Sequence, residues 1–100
     1  MGSTPQEDLL KDLDDLAFVK GYVAEEIKLA FGIRLLWERE SAGLTRQELA
    51  EKAGVTKAYI TKLEQGEANP RITTIGAILA CLGLNLAIRF YPIKENGGKQ

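Results

Sequence analysis

Apolar residues recur every three or four positions along most of this 100-residue chain and switch to strict alternation only near its end. The first interval predicts helices and the second a strand. Leu9, Leu13 and Leu16, with Leu10 and Ala17 beside them, predict a short amphipathic helix. Ser3 or Thr4 would cap it, with Pro5 at its first position. Gly21 predicts a bend. A longer helix is expected from about Ala24 to Ala42, with Ile27, Ala30, Phe31, Leu35 and Leu36 on its apolar side; Trp37 is expected inside, with a partner-facing position as the alternative. Gly43 ends it, because glycine adopts the left-handed conformation that closes helices.

The stretch "LTRQELAEKAGVTKAYITKLEQG" carries the densest local signals. Thr45 and Glu48 have the spacing of a capping box, and Leu44 and Leu49 that of a hydrophobic staple. A helix therefore begins at Arg46 and ends by Gly54. Thr56 caps the next one, stapled by Val55 and Ile60, which runs to Gln65 and stops at Gly66. Two short helices joined by a tight glycine-containing turn make a helix-turn-helix. Small residues at Ala50 and Ala53 let the pair cross closely. After "EANPR" a last helix places Ile72, Ile75, Ile78, Leu79 and Leu82 on a core stripe and ends at Gly83.

Alternation then takes over in "LNLAIRFYP". Leu84, Leu86, Ile88 and Phe90 face one way; Asn85, Ala87, Arg89 and Tyr91 face the other. A strand without a neighbour leaves its backbone donors and acceptors open. The same strand of a second copy, antiparallel across a two-fold axis, would satisfy both edges. It would also bury the Leu84, Leu86, Ile88 and Phe90 face against the helices. The N-terminal segment is the rival partner, but its spacing is helical. The predicted organisation is an acidic extension over 1–23, a helix-turn-helix domain over 24–83, a dimerisation strand over 84–92 and a polar tail over 93–100.

Composition narrows the function. Hydrophobic residues at 45% and charged ones at 27% fit a single folded domain. No run is long enough to cross a membrane, and the acidic start is unlike a signal peptide, so a cytoplasmic location is expected. The chain has no histidine and one cysteine, Cys81, expected to be a small core residue. Without histidine the commonest general base and imidazole metal ligands are missing. No catalytic residue, metal site or cofactor is predicted, and a binding protein is expected. Net charge is −1, so any nucleic-acid surface must be local.

The local surface is the helix opening at Lys57. At 100° per residue, Ile60 and Leu63 turn to the core. Lys57, Ala58, Thr61, Lys62 and Gln65 turn outward, with Tyr59 on the flank. Lysines on an exposed helix face are ordinary, but small and hydrogen-bonding residues beside them suit the major groove. The segment Leu44 to Gly83 resembles the lambda-repressor-like, or XRE-type, helix-turn-helix family. Matching residues are Leu44, Thr45, Glu48, Leu49, Ala50, Gly54, Val55, Ile60, Leu63, Glu64, Gly66, Pro70 and Leu82-Gly83. The resemblance implies a mainly α, lambda-repressor-like bundle, here with the C-terminal β-strand pairing across a homodimer. It implies double-stranded operator DNA as partner and the Lys57 helix as recognition helix. The DNA-contacting set is then Arg46, Gln47, Thr56, Lys57, Ala58, Tyr59, Thr61, Lys62 and Asn69. Arg46 stands where the family usually has glutamine, and Lys57 and Ala58 where amides and serine are common. Arg39 and Glu64 correspond to a partly buried structural ion pair.

The wider chain, with its "IRLLWERESAGLT" helix and "LGLNLAIRFYP" ending, is similar to HigA-type antitoxins. That similarity implies a second partner, a small basic ribosome-dependent mRNA-cleaving toxin, and repression of a shared operon. Between Glu7 and Asp15 five carboxylates stand against one lysine. Asp8, Asp12, Asp14 and Asp15 would meet the toxin's basic RNA-binding face. Leu9, Asp12, Leu13, Leu16, Phe18 and Tyr22 are its expected contacts; a solvated helix lying on the domain is the plainer reading of this segment. Alternatives are a stand-alone repressor of phage or restriction-modification type, an interaction module without DNA binding and, most remotely, an enzyme.

Overall fold

The computed structural model describes residues 13–93, with side chains from residue 16 onward. Among the described residues four helices follow one another: α1 Leu13–Ser41, α2 Arg46–Ala53, α3 Lys57–Glu64 and α4 Ile72–Cys81. The chain divides into two compact units, Glu25–Ala87 and Met1–Ala24 with Ile88–Gln100.

Local chemistry sets the limits of the short helices. Thr45 Oγ1 accepts from Glu48 N at 3.0 Å while Thr45 N donates to Glu48 Oε1 at 2.8 Å, the reciprocal bonds of a capping box. Gly54 closes α2 with φ 75°, and Val55 N returns to Ala50 O at 3.0 Å. Thr56 Oγ1 accepts from Tyr59 N at 3.0 Å and opens α3. Beyond α3, Gly66 has φ 77°, a region in which a side chain is strained.

Within Glu25–Ala87 the core gathers Leu35 from α1, Leu49 and Ala50 from α2, Ile60 and Leu63 from α3, Ala68 from the following loop and Ile78 from α4. Leu49, Ile60 and Ile78 are fully buried, each worth about 1.5–3 kcal/mol over leaving it exposed. Gly32 places α1 tightly against the end of α3. A Cβ there would lie 2.8 Å from Glu64 O and closer still to Leu63 O.

In the other unit, Phe18 and Tyr22 stack on each other one turn apart, ring centroids 6.5 Å apart. Val19 is buried, while Phe18 and Tyr22 are exposed.

The structure departs from the sequence expectations in four places. Gly21 lies inside α1 instead of bending the chain. One glycine costs a helix only about 1 kcal/mol, and no proline or cap interrupts the ladder. Trp37, expected inside, is 60% exposed, and Ile27 and Ala30 also face outward. Apolar residues surround α1 on every side, so spacing alone did not select its buried face. Ile72, expected on the core stripe of α4, is exposed at that helix's first position, where few neighbours reach it.

The fourth departure is the strand. Residues 84–92 carry no strand ladder, and no strand is present among the described residues. Leu84, Leu86, Ile88 and Phe90 are exposed rather than buried on the helices, Phe90 by 92%. Among the described residues of one chain there is no second extended segment to complete the ladder.

Candidate nucleic-acid interface

Helix α3 separates its side chains by chemistry. Ile60, Leu63 and Glu64 are buried; Lys57, Ala58, Lys62 and Gln65 are exposed; Tyr59 and Thr61 are half-buried. Thr61 Oγ1 donates to Lys57 O at 3.1 Å, one turn back, which tethers its hydroxyl to the helix. Neither Lys57 nor Lys62 enters an ion pair among the described residues. Glu64, the one carboxylate of α3, is turned inward. The outward face therefore carries two lysines and no acid, a local positive surface on a chain of net charge −1.

Glu64 is the electrostatic centre of the domain. Its carboxylate accepts from Arg39 Nε at 2.6 Å and Arg39 Nη2 at 3.2 Å. Arg39 Nη1 donates to Leu44 O at 2.8 Å, joining the end of α1 to the entry of α2. Donating to the Glu64 carboxylate raises the Arg39 pKa above its ordinary value against the opposing effect of burial. Arg46 joins the same carboxylate, Nε to Oε1 at 2.8 Å, with 40% of its side chain exposed. Arg46, expected to touch DNA, is thus anchored through Nε, and its remaining guanidinium nitrogens are unengaged by other described residues.

The other expected contacts lie as follows. Gln47 is exposed, its amide donating to Glu51 Oε2 at 2.8 Å. Thr56, Tyr59 and Asn69 meet in one surface depression, whose remaining walls are Val55, Arg71 and Thr74. Arg71 and Thr74 were absent from the sequence-based set. Arg71 had a signal, a cation just before a helix start. It occupies the N-cap of α4 and makes no side-chain cap bond, so the first amides of that helix have no capping side chain. Nothing in local spacing brings Thr74 beside Thr56; the packing of α4 does.

Of the expected toxin contacts, Leu9 and Asp12 lie outside the described residues, and Leu13 lies in α1 without a described side chain. Leu16 is half-buried, and Phe18 and Tyr22 form the exposed stack. No helix of the described residues is long and apolar enough to cross a membrane.

A helix-turn-helix family model, HTH_3, matches residues 35–88, more than half of the chain. The chain belongs to the helix-turn-helix family of XRE-type transcriptional regulators. The match takes in the end of α1, all of α2 to α4 and the first residues of the terminal segment. An uncharacterized HTH-type transcriptional regulator of Methanothermobacter thermautotrophicus is 36% identical over 61 residues, 61% of this chain and 88% of that protein. The immunity repressor protein of Bacillus phage phi105 is 30% identical over 59% of this chain, which spans 41% of the repressor. Among solved structures, the restriction-modification controller protein C.AhdI of Aeromonas hydrophila superposes with a TM-score of 0.59 at 26% identity, over 61% of this chain and 88% of its own. The family carries the lambda-repressor-like, mainly helical fold, and none of these relatives is described as an enzyme.

Proposed function

We propose that this chain is an operator-binding repressor that inserts α3 into the major groove as one half of a two-fold dimer. The observation that carries it is the division of α3: Ile60, Leu63 and the Glu64 carboxylate are buried, leaving Lys57, Ala58 and Lys62 exposed with Thr61 half-buried among them. Lysines in the groove favour guanine edges and flanking phosphates. Thr56, Asn69 and Arg71 around their shared depression, with Arg46, would hold the DNA backbone and fix the register of the helix. A phage immunity repressor and a restriction-modification controller among similar proteins support repression. One module on a chain of this net charge binds weakly, so two recognition helices about 34 Å apart are required. Pairing of residues 84–92 between two copies would present them. Mobility shifts with the DNA upstream of the protein's own gene test the reading. A retarded band that weakens steeply with salt is expected. Absence of any retarded band at micromolar protein and low salt overturns it.

A second, finer reading makes the repressor also an antitoxin. Its support is the exposed stack of Phe18 and Tyr22, ahead of the family match, on an extension that DNA binding does not use. Leu9, Asp12, Leu13, Leu16, Phe18 and Tyr22 would then contact a basic mRNA-cleaving toxin. Deletion of residues 1–23 should abolish neutralisation in co-expression while leaving operator binding in place. Full neutralisation by the truncated chain removes this reading and leaves the repressor untouched.

A further inference from the structure

Helix α1 carries a second apolar face that the domain does not use. Leu29, Ile33, Leu36 and Trp37 fall within about 100° of arc at the helical period, opposite Phe31, Leu35 and Arg39, which turn to the core. Leu29 is 50%, Ile33 57% and Trp37 60% exposed. Glu26 and Glu40 fall on the same arc, one beyond each end of the stripe. They stand fourteen positions apart, about 21 Å along the axis. Both are exposed, and neither enters an ion pair among the described residues. Arg34, at the margin, is neutralised by Glu38 at 2.7 Å and lies over the Trp37 ring at 5.4 Å.

The charge pattern selects the occupant. An antiparallel pair of α1 helices centred on Ile33 would set Glu26 against the Glu40 of a second copy. A parallel pair would set each glutamate against itself. Both arrangements bring carboxylates together while the apolar stripe is being desolvated, which discriminates against self-pairing. We propose that this face docks another protein, through an apolar ridge bracketed by lysine or arginine side chains about 21 Å apart. The proposal shares no residue with the DNA-contacting set and does not depend on the toxin reading.

Trp37 is the chain's single tryptophan, so its fluorescence reports the stripe directly. The probes are two synthetic helical peptides with the same leucine ridge, one with lysines fourteen positions apart and one with glutamates there. The lysine peptide should shift Trp37 emission to the blue and bind the full-length protein about tenfold or more tighter than the glutamate peptide. Glu26→Lys with Glu40→Lys, both at exposed positions, should reverse that preference. Ile33→Ser should weaken both peptides without changing thermal unfolding. Equal binding of the two peptides, or no reversal by the charge swap, overturns the proposal. So does sedimentation showing that Ile33→Ser alone converts a dimer of the free protein into monomer, since a second copy would then be the occupant.

Discussion

A carboxylate with 2% of its side chain exposed requires charged hydrogen-bond donors, and Glu64 has two, Arg39 and Arg46. Glu64→Gln leaves Arg39 buried without a counter-charge and should lower stability by about 3–5 kcal/mol in urea unfolding. Replacing Arg39 and Glu64 together by methionine and leucine should cost much less than the two single changes added, because no charge is then stranded. A loss under 1 kcal/mol for Glu64→Gln would show that the network holds nothing in place. The raised Arg39 pKa fixes the sign of any pH effect: the stabilisation is complete below arginine's unfolded value and lost only above it. Arg39 therefore adds no pH dependence through the neutral range. Glycine shows the same discrimination by surroundings. Gly32→Ala drives a methyl into the Leu63 and Glu64 carbonyls and should cost about 1–3 kcal/mol. Gly21→Ala, with nothing within 4 Å, should gain about 0.5–1 kcal/mol from reduced backbone entropy. Thermal melts of the two variants moving in the same direction would refute this account of the α1–α3 contact.

Among the elements, α2 and α3 were readable from sequence and α1 was not, for a physical reason. A cap is a bond between residues three apart, so Thr45 with Glu48 and Thr56 with the Tyr59 amide are written in adjacent letters. The face of α1 is decided by contacts some thirty residues distant, such as Gly32 against Leu63, which no local period encodes. With Leu29, Ile33 and Trp37 on one side and Phe31 and Leu35 on the other, apolar spacing fits two faces equally well. The depression on the candidate DNA surface divides in the same way. Thr56, Tyr59 and Asn69 were implied by the family resemblance, whereas Arg71 and Thr74 enter only because α4 packs beside α3. On α3 itself, Lys57→Ala and Lys62→Ala remove exposed charges that support no internal contact, so folding stability should stay within about 0.5 kcal/mol. If each lysine meets a phosphate, each change should reduce the slope of log affinity against log salt by about 0.9. An unchanged slope with relaxed preference at one base pair would instead assign that lysine to a base edge.

For the whole molecule, the proposed two-fold dimer turns on how two copies would join, and the alternation in residues 84–91 restricts the answer. In an antiparallel pair, directly opposed residues project to the same face of the ladder. For Leu84, Leu86, Ile88 and Phe90 of both copies to share one face, the two-fold axis must pass through a residue and not between two residues. Centring it on Ala87 opposes Leu84 to Phe90 and Leu86 to Ile88, four apolar cross-strand contacts from two chains. Ala87 then meets its own equivalent, at the 4.5–5.5 Å Cα separation typical of such pairs, within disulfide reach. In a Cys81→Ala background, which removes the one native thiol, Ala87→Cys should cross-link into a covalent dimer under mild oxidation. Leu86→Cys and Ile88→Cys, each opposed to a different residue, should not cross-link alone but should do so when the two variants are mixed. Ile88→Lys should leave the isolated chain as stable as before, since Ile88 is 76% exposed, yet shift sedimentation to monomer and abolish the retarded operator band. Efficient cross-linking at Leu86 alone would move the axis by one residue: the apolar set would keep its common face, but Leu84 would oppose Ile88 and Phe90 would oppose Leu82. No cross-link at any of the three positions would mean that the copies join elsewhere, and the spacing of the recognition helices would have to be set by a different surface.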